Sequence, residues 1–406
     1  MKKPQVLFLE ASDFDTFPAG GQLAMARSLI KYFGEHWALV GMGDRHSSVG
    51  KWQRKSINGM PHWFFAVGRR EMRAEKPLVP ARLSFYWGLQ RFRKEILSLG
   101  CSHAITQSPE SLLAIARWGL GSIVFMFPGV ESPLKISRYA FARLIWPLFD
   151  KLLFSAVQNA DLLLACADEE AISRLVRRSG GRISREKVVQ VPTCVDTEEF
   201  SPIDGTRARA ELGIPASATV FAVNGRIGWF KGWELLLNAF ALLLPRLPGA
   251  ELLFIGDGED RPRLELAIAS RGLGTHVRIT GFQKHIEIAR YLNASTVIVC
   301  GSFAEGWSVA MLEALACGKP LVSTNVSGVN ELIVPGQNGF VVPSRDPAEF
   351  ADAMEKALQL TRAATVSRDI ARRYSMTFLG ERLENLWPPL CLKAIEITPC
   401  GATQPG

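Results

Sequence analysis

Two stretches of this 406-residue chain bring together side chains able to handle a phosphorylated ligand. In GRIGWFKG, Gly225-Arg226 is followed, five residues after the arginine, by Lys231-Gly232. Glycine lets backbone approach a ligand closely, and two cations suit a doubly charged diphosphate. Each such cation contributes about 4 kcal/mol at a separation of roughly 4 Å and an effective dielectric near 20. It would also neutralise charge building on a departing nucleotide. In SFAEGWSVAMLEALACGKP, Glu305 and Glu313 stand eight residues apart. A carboxylate accepts paired hydrogen bonds from adjacent hydroxyls of a ribose or hexose. Eight helical residues span about 12 Å, enough for one carboxylate to meet a sugar and the other a ribose with a diphosphate between them. Glu313 lies within apolar VAMLEALAC, where an unpaired carboxylate would be costly. Taken singly, each of these charges reads equally well as a solvated helix surface.

Gly20-Gly21 opens a helical stretch, and its free amides suit a phosphate or a sugar. Asp13-Phe14-Asp15 has the D-x-D form of a metal site, but it follows the first strand and stands apart from the other elements. No metal is expected there.

The elements that must position these residues alternate along the whole chain. Short apolar runs read as buried parallel strands: 6–10, 37–43, 103–106, 122–127 and 161–166, then 219–225, 250–256, 277–281, 297–301 and 320–325. Helical stretches fall between them at 22–33, 80–99, 233–244, 261–270 and 308–317. Two doubly wound units follow, joined near residues 190–200, where VVQVPTCVDTEEFSP carries two prolines and a polar cluster. The tail after Pro388 reads as loose. In open parallel sheets ligands sit at the carboxyl ends of strands, so two facing sheets share one cleft.

Composition bounds the rest. A hydrophobic fraction of 48% with 21% charged residues is that of an ordinary folded protein. The formal charge of +8 is uneven: residues 1–200 carry 27 Lys and Arg against 19 Asp and Glu, residues 201–406 carry 20 against 20. The basic surplus is spread out and no binding motif accompanies it, so nucleic acid is not the expected partner. The amino terminus lacks the apolar length of a signal peptide, and no run approaches the roughly 20 residues that span a bilayer. Seven cysteines in no pattern suit a reducing cytoplasm.

With these residues in view, the chain resembles the retaining glycosyltransferases of family 4, most specifically over residues 188–345. The quoted 188–202 segment is similar to the family's V-x-V-I-P-N-G-V-D-x-x-x-F-x-P linker, and GRIGWFKG to its G-R-x-x-x-x-K-G element. LLFIGDGEDRPRLE, VRITGF, the E-x7-E element and NVSGVNELIVPGQNGFVV continue in the family's order. The resemblance implies a GT-B fold: two facing Rossmann-like domains, 1–190 on the acceptor side and 196–374 on the nucleotide-sugar side, a last helix (375–388) crossing back, and a loose tail (389–406). It implies that Arg226 and Lys231 bind the diphosphate, Glu313 the ribose and Glu305 the sugar, so that Glu305, Arg226 and Lys231 are the catalytic set. The donor is also expected to meet Gly20, Gly21, Gly225, Gly256 and the backbone of Gly306, Trp307, Ser308 and Val309.

Three departures stand out. Pro128-Gly129 replaces a His-Gly or His-Asp pair, Thr193-Cys194 replaces Asn-Gly, and Cys300-Gly301-Ser302 replaces Pro-Ser. The expectation is a metal-independent, retaining hexosyltransferase using a nucleotide diphosphate sugar and no cofactor, with a cell-surface glycan or lipid-linked acceptor. Retention would proceed by same-face attack, since no carboxylate can be nominated for double displacement. Basic-aromatic stretches at 80–99 and 136–154 would let the first domain meet an anionic membrane, placing the enzyme in the cytoplasm and at the inner face of the cell membrane. A nucleotide-sugar epimerase and a non-catalytic nucleotide-sugar-binding protein are the alternatives.

Overall fold

The computed structural model describes residues 3–15, 21–57, 59–69, 80–127, 129, 132, 134, 144–305 and 307–387. Gly20, Gly306, Pro128 and the 389–406 tail, all named above, lie outside the described residues.

The apolar runs form two sheets. The first holds β1 (Val6–Leu9), β2 (Trp37–Gly43), β3 (Trp52–Ile57), β4 (Met60–Arg69), β5 (His103–Thr106), β6 (Ser122–Phe127), β7 (Leu162–Ala165) and β8 (Val188–Gln190), in the order β3-β4-β2-β1-β5-β6-β7-β8. All its pairings are parallel except β3 with β4. The second holds β9 (Thr219–Asn224), β10 (Ala250–Ile255), β11 (Val277–Ile279), β12 (Val297–Cys300), β13 (Leu321–Thr324) and β14 (Gly339–Val342), ordered β11-β10-β9-β12-β13-β14 and wholly parallel. Strands such as β2 are buried along their full length, which is why they read as unbroken apolar runs rather than alternating ones.

The order in which strands are added reverses between β1 and β5 in the first unit and between β9 and β12 in the second. Those two crevices are where an α/β sheet offers ligand space. Each sheet carries a core cluster on either face, one of which in the first unit includes Leu379, Leu383 and Trp387 from the far end of the chain. The helix Met376–Leu386 lies against the helix Gly21–Phe33, so closely that a Cβ on Gly380 would sit 2.3 Å from the Tyr32 ring.

Several elements differ from expectation, among them β14, a strand outside the apolar runs named above. The 80–99 helix is two helices, Ala81–Arg91 and Arg93–Leu97, broken at Phe92 (φ −103°, ψ 20°), whose ring packs on Phe65 at 5.9 Å. The β3–β4 hairpin was missed because β3 (WQRKSI) is a half-exposed edge strand rich in polar residues. The predicted join includes β8, so the crossing between units begins at Val191.

Candidate functional site

The β9–β12 crevice gathers most of the predicted side chains. Gly225 follows β9 with φ 140°, a conformation that favours glycine. The chain then runs through Arg226 to a short turn ending at Gly232, which starts the helix Trp233–Leu243 with φ 68°. A Cβ on Gly232 would lie 1.8 Å from the Gly301 carbonyl oxygen, so only glycine lets this loop touch the end of β12. Gly256 lies behind, where a Cβ would come within 2.2 Å of the Gly225 carbonyl oxygen. It supports the loop through backbone packing.

One cleft is lined by Asn224, Arg226, Lys231, Ser302, Glu305 and Ser308 among others. Lys231 Nζ lies 2.6 Å from Glu305 Oε1, and the same oxygen accepts a 2.5 Å bond from Ser302 Oγ. Burial works against the lysine's charge, but the Glu305 carboxylate outweighs it and holds the ammonium above its ordinary pKa. An ammonium has three N–H groups, so the pair fixes Lys231 while leaving donors for a ligand. Arg226 is half exposed, 4.9 Å from the Phe230 ring centroid and 3.7 Å from Glu259. The loop under this pair is held from behind by Arg345, which donates to the carbonyls of Gly301 (3.0 Å) and Ser302 (3.2 Å) and lies 3.5 Å from the Phe303 ring centroid.

Ser308 caps the helix Val309–Ala316, its hydroxyl accepting from Met311 N. Glu313 is buried about one and a half turns further on, and both its oxygens are held: Oε2 by Asn224 Nδ2 (2.6 Å), Oε1 by His285 Nε2 (3.0 Å). His285 Nδ1 in turn faces Glu199 Oε1 at 3.0 Å. Burial opposes charge on His285, but the two carboxylates overcome it and raise its pKa to about 9. An imidazolium therefore joins the crossing segment to Glu313 at neutral pH. Asn224 and His285 were missed in the sequence. The one signal was a polar residue closing the apolar strand 219–225, just ahead of Gly225.

Two departures acquire a role. Thr193 Oγ1 donates to the Trp307 carbonyl (3.3 Å), tying the crossing segment to the loop that precedes Ser308. Ser302 anchors Glu305 as described. The Trp307 ring is buried 5.6 Å from the Tyr374 ring, so it packs inward and does not line the cleft. A Cβ on Gly21 would meet Val309 Cγ2 at 3.5 Å, so the start of the first helix touches the start of 309–316 across the cleft. Asp13 and Asp15 form a local turn instead of joining this cluster, with Asp15 N donating to Asp13 Oδ1 at 2.9 Å.

The profile of the family "Glycosyl transferases group 1" matches residues 204–373. The chain is 32% identical over 241 residues to an alpha-D-kanosaminyltransferase of Streptomyces kanamyceticus, covering 57% of this chain and 61% of that protein. It is 31% identical over 210 residues to a D-inositol 3-phosphate glycosyltransferase of Corynebacterium jeikeium, spanning only 49% of that protein. A D-inositol 3-phosphate glycosyltransferase of Kribbella flavida is 33% identical over 328 residues, with 78% of this chain and 72% of that protein covered. In fold, the chain is similar to sucrose-phosphate synthase from Thermosynechococcus elongatus (TM-score 0.77, 19% identity, 95% of this chain and 99% of that one). It is also similar to Anabaena HepE solved with UDP and glucose (TM-score 0.72, 17% identity, 95% and 99%). Both likenesses show the GT-B arrangement of two facing sheets. With nearly three quarters of a Kribbella relative matched and the family profile lying on the lobe that holds the cleft, the chain belongs to the glycosyl transferases group 1 family.

Proposed function

We propose that the protein transfers a hexose-type sugar from a nucleotide diphosphate sugar to a glycan or lipid-linked acceptor, with retention and without a metal. The observation that carries this is the convergence of Arg226 and Lys231 with Glu305 and the Ser308 helix start on one cleft, beside the buried Glu313–Asn224 pair. Two cations and free helix amides suit a diphosphate, and held carboxylates suit sugar hydroxyls. The solved relative bound to UDP and glucose supports the same class of donor.

In the reaction, the acceptor oxygen bonds to the anomeric carbon as the bond from that carbon to the phosphate oxygen breaks. The acceptor's proton passes to the departing phosphate oxygen on the same face. Among the described residues lining the cleft Glu305 is the one acid, and it is engaged by Lys231 and Ser302. That supports charge stabilisation over a covalent glycosyl-carboxylate step. Arg226 and Lys231 would offset the charge left on the nucleotide, with Glu305 orienting the sugar.

No described helix is long and apolar enough to cross a membrane. The helices Ala81–Arg91 and Trp146–Val157 expose Leu83, Trp87, Leu148 and Leu152 on the basic half of the chain. This supports docking on the anionic inner face of the cell membrane. Thermal shift with UDP-, GDP- and ADP-sugars, then turnover on a lipid-linked oligosaccharide fraction with NMR of the product's anomeric centre, tests the proposal. Stabilisation by one donor and an unchanged anomeric configuration are expected. Stabilisation by none would sink the donor assignment, and an inverted product the mechanism.

A further inference from the structure

The turn that carries Lys231 also carries Trp229, and the loop that carries Glu305 also carries Phe303; neither ring lines the cleft. Trp229 is 58% exposed and Phe303 54%. A single exposed aromatic needs no explanation, but these two meet. Their ring centroids lie 5.7 Å apart with the planes tilted by 55°.

Both rings are held from behind. Phe303 N donates to the Phe230 carbonyl (2.9 Å), which joins the two loops, and Lys231 N closes the turn on the Gly228 carbonyl (2.9 Å). A Cβ on Gly228 would lie 2.7 Å from Phe230 Cε1, so the Phe230 ring is packed onto its own turn. That ring stands nearly perpendicular to Trp229, at 6.2 Å and 86°. Arg345 covers one side of Phe303, its guanidinium carbon 3.5 Å from the ring centroid, while its nitrogens hold the carbonyls of Gly301 and Ser302. The open area of Phe303 is left to its other face and edge. Trp229 and Phe303 thus make a fixed, angled aromatic surface beside the two loops whose side chains meet in the 2.6 Å bond of Lys231 to Glu305.

We propose that Trp229 and Phe303 form a glycan-binding platform on the rim of the donor lobe, where a pyranose ring of an oligosaccharide chain stacks outside the reaction cleft. A pyranose presents a flat patch of weakly positive C–H groups to the negative face of an aromatic ring. Its hydroxyl edge needs polar partners, and these stand around the platform: Arg345 on Phe303, Arg226 at 4.9 Å from the Phe230 ring, and Glu259 at 3.7 Å from Arg226. A lipid chain laid over the same charges would strip them of water and return no hydrogen bonds. Area decides against a protein partner. Two aromatic side chains of about 150–250 Å² each, half exposed, offer roughly 200 Å², against about 800 Å² per partner in a stable protein interface. The nucleobase belongs at the opposite end, past Glu313 with its partners Asn224 and His285. Choosing a glycan over another flat ligand rests on the glycosyltransferase reading. A chain bound both in the cleft and on the platform gains from the second contact only if it is long enough to reach it, so acceptors of several residues would be favoured over single sugars.

NMR of the full chain, isotope-labelled at tryptophan nitrogen and free of donor, reads the Trp229 indole N–H directly, with Trp229→Ala to assign it. The probes are maltohexaose, chitohexaose and mannohexaose, with glucose, N-acetylglucosamine and mannose as single-ring controls and monomeric dodecylphosphocholine as the apolar chain. At least one hexasaccharide is expected to shift the Trp229 signal and to bind about tenfold tighter than its own monosaccharide. Trp229→Tyr keeps a stacking face and should hold the chain within about threefold of wild type, whereas Trp229→Leu keeps apolar bulk without that face and should weaken it about tenfold. UDP affinity by calorimetry should change less than about twofold in either variant. A Trp229 signal that no hexasaccharide moves, a folded Trp229→Leu variant that binds like wild type, or a larger response to the dodecyl chain than to every oligosaccharide overturns the inference. Failure of the wild type to bind UDP strikes the donor reading instead and leaves the glycan result standing.

Discussion

Lys231 and Glu305 are bonded to each other, so the cation expected at the diphosphate and the acid expected at the sugar act as one unit. Lys231→Ala would remove a charge-assisted hydrogen bond of about 1.5–3 kcal/mol. Calorimetry with UDP should show roughly ten- to hundredfold weaker binding in a variant that still folds; wild-type affinity would contradict the assignment. Glu313→Ala should weaken UDP to a similar degree, and it also leaves Asn224 without this partner and His285 with Glu199 alone. His285 titrates at about 9, above its ordinary value near 6.5. Its tie to Glu199 and Glu313 is therefore complete below about pH 6.5 and is lost as pH rises through 9. UDP affinity should fall between pH 8 and 10 in the wild type, and His285→Gln should give a flat profile over that window. A profile unchanged by the substitution would refute the link.

At the scale of elements, two glycines set how closely the β9 and β12 loops approach. Gly232→Ala adds a methyl where 1.8 Å separates its site from a backbone oxygen that cannot swing away, at a left-handed φ. The loss should exceed the ~1–2 kcal/mol of left-handed strain alone, visible as a drop in denaturation midpoint with donor binding abolished. The strands that carry the cleft were legible because each is an apolar run with a buried centre that ends at a glycine, as in TVFAVNG and VIVCG. The β3 edge strand was not, because a half-exposed strand with lysine and arginine on it lacks that pattern. Arg226, Lys231, Glu305 and Ser308 could be named from spacing after strand ends, which is a local property. Asn224 and His285 could not, since their meaning comes from partners 89 and 28 positions away.

Over the whole molecule, directed contacts join the lobes among the described residues. Asp168 accepts from Ala171 N as cap of the helix Glu169–Arg178 and also from Gly328 N (3.2 Å) in the other lobe, while Ser327 Oγ accepts from its amide. Lys31 bonds Asp196 (2.6 Å) and Glu198 (2.9 Å) at the crossing segment. Ser327→Ala should leave the melting temperature nearly unchanged yet enlarge the radius of gyration in solution scattering, because it loosens a contact between bodies rather than within one. No change in scattering would show that the contact does not hold the lobes. On the outer face, vesicles rich in anionic lipid should retain the protein at low salt and release it above about 0.5 M, where screening shortens to a few ångströms. Trp87→Ser should halve retention or more; a variant retained like the wild type would remove the exposed apolar face from the account.

The chain passes between lobes twice, and the two passages are stitched together: Val195 N donates to the Tyr374 carbonyl (2.9 Å) and Met376 N to the Val195 carbonyl (3.1 Å). Two segments joined by a single parallel bridge behave as a leaf spring, yielding to bending across their plane and resisting rotation about their length. Opening and shutting would then be a nod along one axis, returning Gly21 to the same spot over Val309 after every turnover without any rigid lock between the halves. Severing the second passage would free the lobes to swivel, costing the enzyme its alignment before its fold.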